Sequence, residues 1–197
     1  MDAFEQLAAE ILWNEGYWVQ TCVKVELGRE DKERIRRPSS PRWEIDLVAY
    51  HPAKNELLAL ECKSYLDSGG VHAAHFGSGS RYAHRYKLFH DDVLRETILR
   101  CLNTQFVERG LCLPDATVRL GLIYAHATPY NTALLARHFD DNDWILWGPD
   151  WLRAKLNRFA SGKYDNSIAA VVAKVLLRGA DDMIQGTPAE GQAALSS

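Results

Sequence analysis

The sequence predicts an α/β sheet domain with its elements in the order αβββαβαβα. Three observations carry this reading. Apolar residues at helical spacing open the chain and return after the third, fourth and fifth strand patterns. Three strand patterns follow one another directly after the first helix. The third of them, Leu57-Leu58-Ala59-Leu60, is apolar on both faces, as expected of a strand buried in the middle of a sheet.

Phe4, Leu7, Ala8, Ile11 and Leu12 predict a helix over 2–15, and Gly16 stops it. Alternating β-branched and aromatic residues predict a strand over 17–27. Residues 28–42, polar and carrying Pro38-Ser39-Ser40-Pro41, read as a mobile loop. Strands over 43–50 and 56–63, joined by His51-Pro52-Ala53-Lys54-Asn55, read as a hairpin. The Gly-, Ser-, His- and aromatic-rich stretch 64–83 reads as an exposed loop. A long helix is predicted from about Ala83 to Arg109, with Leu88, Ile98, Leu102 and Phe106 on its buried stripe and Gly110 at its end. A strand over 116–125, a helix over 129–139, a short strand over 143–146 and a helix over 149–160 follow. A last helix spans about 164–178. The reading is one domain over 1–178 and a disordered acidic tail over 179–197.

Composition removes several classes. The chain has 197 residues, 47% of them apolar and 25% charged, which is ordinary globular usage and excludes a polyelectrolyte or a disulfide miniprotein. No apolar run reaches the roughly 18–20 residues of a membrane helix. The N-terminal Met1-Asp2-Ala3-Phe4-Glu5 lacks the basic region and apolar core of an export signal. A cytoplasmic protein with no membrane contact is therefore expected. Cys22, Cys62, Cys101 and Cys112 have no zinc spacing and read as reduced thiols. Asp181, Asp182 and Glu190 lie in a tail without Lys or Arg, so the body carries 23 basic and 23 acidic residues. A neutral body is not held on nucleic acid by bulk charge, and any such contact needs a local patch.

The stretch that carries chemistry is Trp43-Glu44-Ile45-Asp46 followed by Leu60-Glu61-Cys62-Lys63. Glu61 and Lys63 are two apart on one strand, so both side chains point to the same face. Burying both is costly unless they pair or meet a metal. Asp46, across the hairpin, can approach Glu61. A divalent cation is the simple way to keep two adjacent carboxylates ionised, and hard oxygen donors favour Mg²⁺ or Mn²⁺ over zinc. Lys63 would then orient a water or help deprotonate it. The alternative is a structural ion pair between Lys63 and Asp46 or Glu61.

Asp46, a gap of fourteen residues and then Glu61-x-Lys63 resembles the signature of the PD-(D/E)XK nucleases, which include type II restriction enzymes, Holliday-junction resolvases and Mrr-type endonucleases. The stretch from Gly121-Leu122-Ile123-Tyr124 to Trp144-Ile145-Leu146-Trp147-Gly148-Pro149-Asp150-Trp151-Leu152 is similar to the ending of Mrr-like domains. The likeness spans roughly residues 1–160. Ile45 stands where the signature has proline. The resemblance implies a restriction-endonuclease-like core, a central mixed β-sheet flanked by helices. It implies metal-dependent hydrolysis of phosphodiester bonds in DNA, as an endonuclease. Asp46 and Glu61 would hold Mg²⁺ or Mn²⁺, and Lys63 would position the attacking water. Glu5 on the first helix matches a further acidic residue of many members, and its other reading is a helix-dipole carboxylate.

Weaker signals surround this core. Glu44 shares the face of Asp46 and reads as a solvated strand-end carboxylate, and Gln105 as a surface glutamine. Trp144, Trp147 and Trp151 read as packing residues, and Cys62 as a core thiol. Arg36, Arg37 and Arg42 form a candidate phosphate-contacting arm, with a solvated loop as the equal alternative. His75, Arg81, Tyr82 and Arg85 form a candidate strip for phosphate contact and base stacking. His72-x-x-His75 lacks an evident third metal ligand. No helix-turn-helix or zinc-finger motif is evident, so specificity would be low, structural, or supplied by a homodimer mate or a partner protein. The competing reading is a non-catalytic nucleic-acid-binding or scaffold protein on the same fold.

Overall fold

The computed structural model describes residues 2–39, 42–77, 79–163 and 167–185, with side chains as far as Leu177. These divide into two compact units on either side of the Leu152–Arg153 bond. The first unit holds a five-stranded mixed sheet flanked by helices. The second holds the rest of the helix that begins at Pro149, and the last helix.

Helix α1 (Ala3–Asn14) starts where Asp2 accepts the N–H groups of Phe4 (2.8 Å) and Glu5 (2.9 Å). Glu5 returns a bond to the Asp2 N–H at 3.1 Å, which closes a capping box. Ala8, Ile11 and Leu12 are its buried face. Strands β1 (Trp18–Glu26), β2 (Arg42–His51) and β3 (Glu56–Lys63) form an antiparallel meander. Strand β4 (Thr117–Tyr124) adds parallel to β3, and β5 (Ile145–Trp147) adds parallel to β4. The order 1-2-3-4-5 makes β3 central, and its Leu57, Leu58, Ala59 and Leu60 are fully buried. Both faces of β3 therefore meet packed side chains, as the apolar run predicted.

Two segments differ from the sequence reading. The expected loop over 28–42 contains helix α2 (Arg29–Arg34). Four of its six charges have partners: Glu33 pairs with Arg29 at 3.0 Å, Arg34 reaches Glu96 at 3.2 Å, and Asp31 binds Arg100. Glu96 and Arg100 belong to α4 (Asp92–Glu108), so a polar helix forms against another helix rather than on an apolar stripe. The expected exposed loop over 64–83 is docked on the core. Val71, Phe76, Tyr86 and Phe89 are buried, with Phe76 4.3 Å from Tyr86 and Phe89 5.3 Å from Phe139 between ring centroids. Short 3-10 turns at Ala73–Phe76 and Ala83–Arg85 and helix α3 (Lys87–His90) shape the segment. The long helix starts at Asp92 instead of Ala83, because Asp91 caps it by accepting the Leu94 N–H at 3.0 Å. Gly70 (φ 80°) closes the same segment onto the next connection. A Cβ there would lie 2.5 Å from the His126 carbonyl oxygen, and the neighbouring Val71 N–H donates to that oxygen at 2.9 Å.

Helix α5 (Pro129–Asp140) packs toward β5 and is capped by Thr128. Phe139 and Trp144 join the Phe76–Phe89 aromatic cluster, while Trp147 stacks on Trp151 with centroids 4.6 Å apart. Helices α6 (Pro149–Ser161) and α7 (Ile168–Gln185) complete the described chain. Helix α7 continues past the predicted end at 178 into the segment read as a disordered tail, and 186–197 lie outside the described residues. Among the described residues no helix is long and apolar enough to cross a membrane.

Candidate active site

The last paired rung between β2 and β3 is Leu47 with Leu60. One step further along the same register places Asp46 opposite Glu61. The Asp46 carboxylate leaves the ladder pattern there and accepts the backbone N–H of Cys62 at 2.8 Å. Lys63 turns back onto the same face. Its Nζ lies 2.5 Å from Glu61 Oε1 and 3.7 Å from Asp46 Oδ2. The strand-end spacing thus brings together the three residues singled out from the sequence.

Burial is the largest single influence on Glu61, Cys62 and Lys63, and neighbouring charges decide the outcome at Lys63. Burial pushes the Glu61 carboxyl above its ordinary range; the Lys63 ammonium opposes that, and the charges of Asp46 and Glu5 reinforce it. For Lys63 burial pulls the other way, but Glu61 and then Asp46 outweigh it and hold the ammonium above the usual lysine value. Lys63 is therefore a charged hydrogen-bond donor at neutral pH. Burial first, and then the Asp46 and Glu5 carboxylates, push the Cys62 thiol far up, so it stays protonated and unreactive.

The trio opens into a cleft of about 520 Å³. Glu5 and Glu44 also line it. Glu5 closes the capping box of α1, and its charge acts on Glu61. Its carboxylate is also 4.0 Å from the Cys22 thiol. Cys22 occupies the β1 position across from Asp46, between the Thr21–Leu47 and Val23–Ile45 pairs, at a left-handed φ of 51°. Backbone strain of this kind costs roughly 1–3 kcal/mol and gathers at functional sites.

The candidate nucleic-acid residues scatter more. Arg42 pairs with Glu26 of β1 at 2.9 Å, Arg36 is exposed, and Arg37 lies over the Trp43 ring at 5.2 Å. Trp43 lines the cleft and Arg37 does not, but the charge of Arg37 acts on Lys87, which is in the lining. His75 packs on Tyr82 (4.5 Å) and Arg81 lies over the same ring (4.6 Å), but these three stand away from the cleft lining. Arg85 lines it and donates to the Tyr65 hydroxyl at 3.4 Å. His72 and His75 have ring centroids 5.0 Å apart, and the His72 Nδ1 faces the Asn131 amide at 3.3 Å. Among the described residues no three His, Cys, Asp or Glu side chains are grouped to hold a metal ion.

Tyr65, Tyr86 and Lys87 also line the cleft; Tyr65 had no signal in the sequence, while Tyr86 and Lys87 continue the basic and aromatic strip that holds Arg81, Tyr82 and Arg85. Burial pushes the Tyr86 phenol up, with Tyr65 and Glu61 adding to it. Gln105 is more than a surface residue. Its amide accepts the Glu26 N–H at 3.0 Å and donates to the Lys24 carbonyl at 3.1 Å, clipping α4 to β1.

No family model, no curated protein and no solved structure matches this chain.

Proposed function

We propose that the chain is a divalent-metal-dependent nuclease of the PD-(D/E)XK type that hydrolyses phosphodiester bonds in DNA as an endonuclease. The observation that carries this reading is the convergence of Asp46, Glu61 and Lys63 at a strand end that opens into a cleft. Asp46 and Glu61 supply hard oxygen donors on one face. Mg²⁺ is commonly held by one or two carboxylates, with water and substrate phosphate completing its shell, so two carboxylates fit it without a third protein donor. Asp46 and Glu61 would hold Mg²⁺ or Mn²⁺, with Glu5 adding negative charge nearby. The bound ion would lower the pKa of water and polarise a phosphate.

The chain's own residues divide the remaining work. The Cys62 N–H fixes one Asp46 oxygen, which limits how the carboxylate can turn. Lys63 donates protons to hydrogen bonds and offsets negative charge as it grows on the reacting phosphate. A metal ion binding both carboxylates would replace the ammonium as their counter-ion and free Lys63 to turn toward substrate.

The test is cleavage of supercoiled plasmid, linear duplex and single-stranded DNA with Mg²⁺ or Mn²⁺, comparing wild type with Asp46→Ala and Lys63→Ala. Cleavage by wild type that is lost in both variants supports the reading. The second reading is a non-catalytic nucleic-acid-binding or scaffold protein. One observation favours it: Lys63 already lies within ion-pair distance of both carboxylates, so the cluster is partly self-neutralised. Absence of cleavage by pure wild type in every condition selects that second reading.

A further inference from the structure

The cleft is lined by two unlike sets of groups, carboxylates from α1, β2 and β3, and the segment 84–87. In that segment Arg85 is exposed and Lys87 half-buried. Arg34, Arg42, Arg95, Arg100 and Arg119 of this unit each hold a carboxylate. Among the described residues no ion pair engages Arg85, Lys87 or Arg37. The partners of Arg85 are neutral, the Tyr65 hydroxyl at 3.4 Å and the Tyr82 ring at 5.5 Å. Lys87 faces another cation: burial and the charge of Arg37 both pull its ammonium below the ordinary lysine value. Like charges left close together without a carboxylate are relieved by an anion.

We propose that Arg85 and Lys87, with Arg37 nearby, form a subsite for backbone phosphates of a nucleic acid strand crossing the cleft beside Lys63. This rests on the reading of the cleft as a phosphodiester site and assigns the groups that seat the strand. An extended polyanion is the occupant because several cations without carboxylate partners meet at one cleft. Arg85 and Lys87 sit two residues apart on one lining segment, and Arg37, over the Trp43 ring, is near enough for its charge to act on Lys87. Arg85 and Tyr65 add a planar cation and a phenol, groups that suit a phosphate oxygen and a sugar or base edge. Since the body of the chain is close to neutral, these few cations must supply most of the salt-dependent affinity.

The test is the affinity of a short fluorescein-labelled DNA duplex by fluorescence anisotropy, in EDTA, across a series of KCl concentrations. Each phosphate contact contributes about 0.9 to the slope of log K against log salt on duplex DNA. Arg85→Gln and Lys87→Gln, made separately, are each expected to flatten the slope by about that amount and to weaken binding at low salt. Arg109→Gln, an exposed position at the end of α4 outside the cleft lining, is expected to change neither. Unchanged slope and affinity in both cleft variants, or no binding by wild type, overturns the subsite. Cleavage is measured separately with Mg²⁺. Slopes that respond to both variants without cleavage sustain the subsite while the nuclease reading fails. Cleavage by wild type with unresponsive slopes does the reverse.

Discussion

The carboxylate of Asp46 accepts the backbone N–H of Cys62 at 2.8 Å, just beyond the last rung between β2 and β3. A side chain thus replaces a main-chain acceptor where the strands end their pairing. The same bond fixes one oxygen of Asp46, beside Glu61 and Lys63. The oxygen that takes the bond, Oδ2, is also the one 3.7 Å from Lys63 Nζ, so hydrogen bond and charge share an atom and are separated only by a substitution that keeps the oxygen and removes the charge.

Asp46→Asn keeps an oxygen that can accept the Cys62 N–H but removes the charge. Its stability to urea is expected to stay within about 1 kcal/mol of wild type, while Asp46→Ala loses about 1–3 kcal/mol from the orphaned N–H. Both are expected to abolish cleavage. A large stability loss in Asp46→Asn would count against the division of roles.

Lys63→Met leaves Asp46 and Glu61 without their cation. Removing one partner of a buried cluster of this kind costs about 3 kcal/mol. Mg²⁺ is then expected to raise the Tm of Lys63→Met by more than it raises that of wild type, because the ion takes over the counter-charge. Equal Mg²⁺ responses, measured by thermal unfolding, would argue against a metal at these carboxylates.

Gln105→Ala removes both bonds that hold α4 to the β1 edge. A loss of about 1 kcal/mol is expected. Faster hydrogen exchange at the Glu26 amide would locate the effect, and unchanged exchange would contradict it.

Asp31 supplies a pH signature. Burial would raise its carboxyl, but the hydrogen bonds from Arg100 and the Gly28 N–H outweigh that and hold it below the ordinary carboxylate value. A carboxylate depressed in the folded state stabilises above its unfolded pKa, and that contribution is lost as pH falls through its folded pKa. Wild type should therefore exceed Asp31→Asn in Tm at neutral pH. The gap should close on acidification below the ordinary carboxylate range. A gap constant across that interval would show that the Asp31–Arg100 pair does not govern the attachment of α2.

The sheet was legible because its information is local. Alternation in β1, the hairpin through Pro52–Asn55 and the apolar run 57–60 each specify their own element. The trio was legible for the same reason, since strand periodicity alone puts Glu61 and Lys63 on one face. The segment 84–87 at the cleft was not. Its position depends on Phe76 and Phe89 finding Phe139 some 50 or more residues later, and on Gly70 closing onto His126. Helix α2 was missed because its partners, Glu96 and Arg100, lie on α4 and give it no apolar stripe to read. Asp91 was likewise hidden as a cap inside a stretch whose apolar spacing already looked helical.

The measurement closest to the central claim is Mg²⁺-dependent cleavage of supercoiled plasmid by wild type and Asp46→Asn at matched folded concentration. Nicked or linear product from wild type, absent with Asp46→Asn and absent in EDTA, is the result predicted. Intact plasmid with wild type under every metal tried, or equal cleavage by the Asp46→Asn protein, would contradict it.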